Sequence, residues 1–368
     1  MSATRPTRGV LDWLEQRLHL TEAFAFVSHF LMVYTPVDAS KPLREEMNAL
    51  AARRIPHFHR WPMVLAPLTV VLFAIEVVTG LLLAFYYVPS PTVAFESTRT
   101  IVRDLPFGWF IHQLHAWGAV ALVVVVAVRL VRLFWDGLWR APREILWWSA
   151  VAMAWLALQA DFTGQLLVWD SGTYWRAVRG MEIVFSLPVV GGFLSFLLGG
   201  RVITENVLIR FYVFHIITFP VAFAVLIWAT YATIRRVGLS SVSNPGAPTV
   251  TYREHYYSLA NLMLLVFAGL VSAAVLAPFR FSMAADPYAT PEGVRPPWYM
   301  LAPWLLYEKL PVPDWIIGLV LLVIAFAVLL LPVWAARGGE ANEKRVKLGG
   351  VALFGVWLAL TIAGAFVR

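Results

Sequence analysis

Two histidines, His115 and His215, each stand in the first turns of a long apolar run. Histidine is uncommon inside hydrocarbon and marks a functional site by default, although a lone imidazole also serves as a hydrogen-bond partner for a neighbouring helix. The pair carries more meaning because two other apolar runs supply glycines, in Thr79-Gly80 and Thr163-Gly164, near the matching ends of their helices. Glycines alone indicate close helix packing. Two facing imidazoles, flanked by glycines that let a flat macrocycle approach the backbone, point instead to axial ligation of a haem iron. His115 and His215 are the expected metal ligands, and Gly80 and Gly164 the expected cofactor-contacting positions.

Such a pair needs rigid carriers, and the composition supplies membrane helices. Hydrophobic residues fill 60% of the 368 positions and charged residues 14%, the balance of a bilayer-embedded chain rather than of a soluble domain. Crossing ~30 Å of hydrocarbon takes about 20 apolar residues. Runs of that kind lie near 62–87, 111–134, 145–168, 211–233, 258–277, 315–334 and 348–367, which predicts seven spans. Basic residues collect at one set of ends: Arg53, Arg54 and Arg60, then Arg132, Arg140 and Arg143, then Arg235 and Arg236, then Lys344, Arg345 and Lys347. By the positive-inside rule the N-terminus is cytoplasmic and the C-terminus outside. The second and fourth runs then both enter from the outer side, with their histidines at similar depth. The same rule accounts for the net charge of +7, and no aromatic-basic pattern indicates nucleic acid. No cleavable signal peptide is expected. The expected setting is the lipid of a bacterial inner membrane. With no cysteine in the chain, disulfides, iron–sulfur clusters and covalently attached c-type haem are excluded within it, so any such centre belongs to a partner.

The predicted fold class is an all-α polytopic membrane protein, a four-helix haem-binding bundle plus three further transmembrane helices. Residues 1–61 form a cytoplasmic segment and linker, 62–239 the four-span unit, 240–256 a linker and 257–368 the three-span unit. Within the first segment, 11–34 reads as an interfacial amphipathic helix, with Leu11, Leu14, Leu18 and Phe26 against Asp12, Glu15, Arg17 and Glu22, and 35–52 as a polar linker. The outer loop 170–206, with Leu187-Pro-Val-Val-Gly-Gly, predicts short surface helices, and 279–313 is a proline-rich second outer loop. Asn244-Pro-Gly-Ala-Pro punctuates the linker between the units.

Several motifs give this pattern a family likeness. Phe107-Gly-Trp-Phe-Ile-His-Gln-Leu-His-Ala-Trp, the Pro142-Arg-Glu turn, Val168-Trp-Asp, Arg210-Phe-Tyr-Val-Phe-His215, Asp286-Pro-Tyr-Ala-Thr-Pro and Pro296-Pro-Trp-Tyr299 resemble cytochrome b of the bc-type quinol–cytochrome c oxidoreductases. The resemblance runs from about Leu11 to the end, in a form with the four-span and three-span parts fused. It implies haem b and quinone or quinol as cofactor and substrate. It also implies a multi-subunit complex, open to dimerisation, with Rieske-type iron–sulfur or c-type cytochrome partners. By the same resemblance His112 and Arg210 contact the cofactor, and Trp298 and Tyr299 frame an outer quinol site.

The chain also departs from the family. The family carries a second histidine fourteen or fifteen residues after each first one, and fourteen residues advance a helix by ~21 Å on nearly the same face, stacking a second haem below the first. Here those positions are Arg129 and Thr230, and the matching inner glycine positions are Ala66 and Ala150. Loss of the inner haem is the expectation, leaving one haem b on the outer side; His57 and His59 are the nearest substitute ligands. His112 stands where the family has an arginine at a propionate, Val168 replaces the proline of a Pro-Trp pair, and Pro297 replaces the glutamate of Pro-Glu-Trp-Tyr. Two acids, Glu76 and Asp161, lie in mid-span, and Arg129 points into the vacated level. Either Arg129 fills a hole by pairing with an acid, or the three residues line a proton path. The expected function is a membrane subunit of a respiratory or photosynthetic complex, exchanging electrons between quinol and outer-side partners through one haem, without a full Q-cycle. The alternatives are a redox-silent scaffold and a quinone-binding, proton-conducting subunit using the Arg129 cavity. Whether the chain is itself an enzyme is left open; a part in an oxidoreductase complex is favoured.

Overall fold

The computed structural model describes residues 10–28, 37–56, 64–238, 249–335 and 339–367. Two short helices, α1 (Val10–Leu18) and α2 (Leu20–Val27), open the chain. The single helix expected over 11–34 is interrupted at His19, whose φ of 48° is left-handed, and its last residues lie outside the described ones. The stretch expected as a linker is in part helical: α3 spans Leu43–Ala52, with Glu45 and Glu46 in its first turn against the helix dipole. Strand β1 (Arg54–Pro56) pairs antiparallel with β2 (Thr249–Thr251). His57, His59 and most of the inter-unit linker lie outside the described residues.

Among the described residues, six helices are long and apolar enough to cross a membrane. They are α4 (Leu65–Ala84), α6 (Gly108–Trp135), α7 (Glu144–Leu167), the joined α10 (Glu205–Val213) and α11 (Phe219–Val237), α12 (Tyr252–Leu276), and α16 (Gly339–Phe366). Between them lie α5 (Ala94–Arg103), α8 (Ser171–Phe185) and α9 (Val190–Leu198), the last two being the expected helices of the first outer loop, and α13 (Leu301–Lys309). The sixth expected span, 315–334, is shorter than the sequence indicates: α14 covers Asp314–Leu329 and α15 only Leu331–Trp334. Pro332 is the cause. It lacks the N–H that would serve the Val328 carbonyl and cannot continue the ladder. The Trp147 indole supplies that carbonyl at 2.9 Å, and the Trp148 indole supplies the carbonyl of Leu329 at 3.0 Å. Buried backbone groups need such partners, so the break is tied to α7.

The core lies within α4, α6, α7 and α11, where Leu72, Val123, Val126, Met153, Phe223 and Ile227 are buried together. The chain beyond α12 is stitched onto one end of this bundle. Gln113 exchanges two hydrogen bonds with the backbone of Phe279, at 2.8 and 2.7 Å, and the Trp117 indole donates to Ala277 O. Asp170 caps α8 by accepting from Thr173 N and also accepts from Ser282 N, both at 2.8 Å. These bonds bring the loop carrying Trp298 and Tyr299 against the end of α7.

Candidate functional site

His215 occupies the one irregular turn of the fourth span. Between α10 and α11, residues Phe214–Thr218 form a single π-helical turn. Pro220 accounts for it: a proline cannot bond the carbonyl four residues back, and a widened turn absorbs the mismatch. Such bulges recur at functional sites, and this one sets the direction of the ring. His115 stands two turns into α6, where the backbone is regular.

The two rings lie together, with centroids 6.0 Å apart and planes at 86°. Two imidazoles bonded at ~2 Å to opposite faces of one iron put their centroids about 6 Å apart, so the spacing suits bis-histidine ligation. The hydrogen bonds agree. His215 Nδ1 is 2.9 Å from the carbonyl oxygen of Ala160, which can only accept. His115 Nδ1 is 2.9 Å from Thr79 Oγ1, whose own hydroxyl donates to Ile75 O, and 3.0 Å from Glu76 Oε2. In both rings Nδ1 is therefore the protonated nitrogen and Nε2 carries the free lone pair, the arrangement that outer partners impose on metal-bound histidine. Among the described residues no group of three or more His, Asp or Glu is placed to hold a bare ion. Two axial nitrogens suit a metal that brings its own equatorial ligands, and the residues present fit a haem.

The glycines do adjoin the histidines. A Cβ on Gly164 would come within 2.6 Å of His215 Cε1, and one on Gly80 within 3.1 Å of His115 Cε1. Gly118 plays a part the sequence reading missed: a Cβ there would collide with the Glu76 carboxylate, so this glycine lets Glu76 reach His115. Glu76 Oε1 is buried without a hydrogen-bond partner. His112 is packed edge-on to Phe281, with its Nδ1 likewise buried and unpartnered. Arg210 turns away from the pair and donates to the carbonyls of Phe196 and Leu197, each at 3.1 Å. There it neutralises the negative end of α9.

Asp161 is held by two donors, the Tyr299 hydroxyl and the Gln165 amide, and Gln165 in turn accepts from Arg176 at 2.7 Å. Burial and the neighbouring Asp161 push the Tyr299 phenol above its ordinary range, so it remains a donor. Trp298 lies beside Tyr299 at 5.6 Å, edge to face, and is half exposed. Arg129 is elsewhere. Its guanidinium lies 3.6 Å from Met153 Sδ and lines a cavity of about 10 Å³ with Ala66, Thr69, Thr230 and Tyr231. Ala150 belongs to a separate cluster, with Trp147 and Leu331.

A sequence model of cytochrome b/b6/petB matches residues 54–238, and one of cytochrome b(C-terminal)/b6/petD matches 284–366. The chain belongs to the cytochrome b family. Both parts are fused here in one polypeptide, as a membrane subunit of a bc-type complex. Cytochrome b6 of Heliomicrobium gestii is 35% identical over 48% of this chain and 83% of the relative. Cytochrome b6 of Synechococcus sp. (strain RCC307) is 30% identical over 56% of this chain and 96% of the relative. A solved chain of a hyperthermophilic respiratory Complex III superposes with a TM-score of 0.75 over 98% of this chain and 92% of its own, at 22% identity. Membership implies haem b, quinone binding and a multi-subunit setting for this cytochrome b.

Proposed function

We propose that this cytochrome b exchanges electrons between membrane quinol and outer-side partners through a single haem b on His115 and His215, without a complete Q-cycle. The haem, when bound, supplies a one-electron centre. Thr79, Glu76 and the Ala160 carbonyl orient its two ligands. Trp298 and Tyr299 frame the quinol site, and the partners are a Rieske-type protein or c-type cytochromes. The membrane is a bacterial inner membrane, with the N-terminus cytoplasmic and the C-terminus outside.

The observation that carries the single-haem reading is the inner level. Arg129 and Thr230 stand at the ligand positions with Ala66 beside them, and neither a guanidinium nor a threonine hydroxyl is a usual axial ligand for haem iron. A pyridine haemochrome assay on the purified chain tests this. One haem b per chain is expected; two would overturn the loss of the inner site, and none would favour a redox-silent scaffold. The Glu76, Asp161 and Arg129 path to the inner surface has less support, because the partners of both acids lie at the outer level.

A further inference from the structure

Asp161 is the acid that the haem site does not use. It sits near the outer end of α7, next in sequence to Ala160, whose carbonyl orients His215. Its contacts are a phenol from the outer loop and an amide from its own helix. Beyond the amide, Arg176 lines a cleft of ≈ 270 Å³ that opens between α8 and the 282–295 loop, beside Ser171, Ser282 and Glu292. The other ionisable groups facing this acid are Glu76 across the bundle, Tyr299 and Arg176.

The Tyr299 contact indicates what Asp161 can recognise. A tyrosine hydroxyl is a phenol, and a hydroquinone presents the same donor on the same kind of flat ring. A carboxylate placed to accept from one is placed to accept from the other. Pro297 offers no acidic group in the loop beside Trp298 and Tyr299, whereas Asp161 reaches that loop from α7. We propose that Asp161 is the proton acceptor for quinol oxidation at the outer site, and that a quinol hydroxyl displaces the Tyr299 phenol to reach it. This rests on the outer quinol site proposed above.

Oxidation of a quinol to a quinone releases two electrons and two protons. The electrons leave one at a time to acceptors of the haem or iron–sulfur class. One quinol O–H bond breaks and its proton forms an O–H bond on an Asp161 oxygen; the other proton goes to water. Asp161 then returns to the carboxylate by giving its proton to water on the side of the Arg176 cleft. Gln165 and Arg176 keep the carboxylate aligned between the two events. The direction is outward, opposite to a path through Arg129.

The test uses the complex purified from membranes, with a short-chain quinol as donor. Asp161→Asn is expected to lower kcat about 100-fold, the usual loss for a general base, with KM and the haem spectrum changed little. Asp161→Glu is expected to recover part of the rate. On wild-type protein carrying ¹³C-carboxyl aspartate, infrared difference spectra on quinol addition should show a new isotope-shifted protonated carboxyl band, absent from Asp161→Asn. Wild-type turnover in Asp161→Asn, or no such band in an active wild type, overturns the assignment and leaves the quinol site standing. A wild type that neither binds nor oxidises quinol overturns both. If Asp161→Asn does not assemble, the Asp161→Glu rate and the wild-type infrared band decide.

Discussion

Gly164 and Gly80 face equivalent histidines, yet the two contacts are not equally tight, and the difference makes a quantitative test. A methyl group at Gly164 would lie 2.6 Å from His215 Cε1, a separation that non-bonded carbons do not tolerate, whereas at Gly80 the distance to His115 Cε1 is 3.1 Å. Ala160 and Thr163 brace His215 from the same helix that carries Gly164, so the ring has little freedom to retreat. Overpacking of this kind costs about 1–3 kcal/mol. Taken from haem affinity, that is roughly a 5- to 150-fold loss, since ~1.4 kcal/mol is tenfold. Gly164→Ala should therefore fall near the upper end and Gly80→Ala near the lower. Haem retention on the purified variants, titrated with a competing apo-haemoprotein, gives both numbers. Equal retention in the two, or a greater loss in Gly80→Ala, would refute the reading of the close approach.

Further consequences follow from the same contacts. Trp147→Phe removes the donor that serves the Val328 carbonyl beside Pro332, and should cost about 1–3 kcal/mol, seen as a lower melting temperature in detergent with the haem spectrum retained. Asp170→Ala should cost roughly 1–4 kcal/mol, because it removes both the α8 cap and the acceptor for Ser282 N; faster limited proteolysis between 279 and 295 would report the freed loop. Thr79→Val deletes an acceptor of His115 Nδ1 while Glu76 remains, so haem is kept but more weakly, by about 1 kcal/mol; haem dissociation rates measure it. In proteoliposomes, quinol-driven reduction of the outer acceptor should respond little to an imposed membrane potential, and a steep response would count against a single outer haem.

The bundle and its paired histidines are legible because each rests on a local signal. Long apolar runs mark the spans, and a histidine or glycine inside one stands out against them. Two deviations also leave local traces: Pro332 marks the break at Leu330, and Pro220 marks the wide turn at His215. The segment 43–52 looks like linker because many of its residues are polar, although its helix is set by two first-turn glutamates and tertiary contacts. What could not be read was long-range pairing. Nothing in the sequence says that Tyr299 meets Asp161, that Gly118 clears a path for Glu76, or that Arg210 caps α9. These depend on how the loop beyond α12 is sewn to the bundle through Gln113 and Asp170.

The asymmetry between the two levels has an energetic meaning. Moving one charge across a membrane potential of 100 mV is worth ~2.3 kcal/mol, or about 50-fold in an equilibrium, and a complex with two stacked haems spends that energy each time an electron crosses. In this chain Glu76, His112, His115, Asp161, His215 and Tyr299 gather toward one end of the four-helix core, while Arg129 and Met153 lie toward the other. Under the single-haem reading proposed above, with ~21 Å of helix separating the levels, an electron delivered to the outer pair would have no second haem to reach. Both electrons of a quinol would then leave on the side they entered, and only protons would be displaced outward. On that reading the subunit would give up the electrical work of crossing and keep the release of protons, and the weight of its chemistry would fall on the proposed acceptor Asp161 and its partner Tyr299.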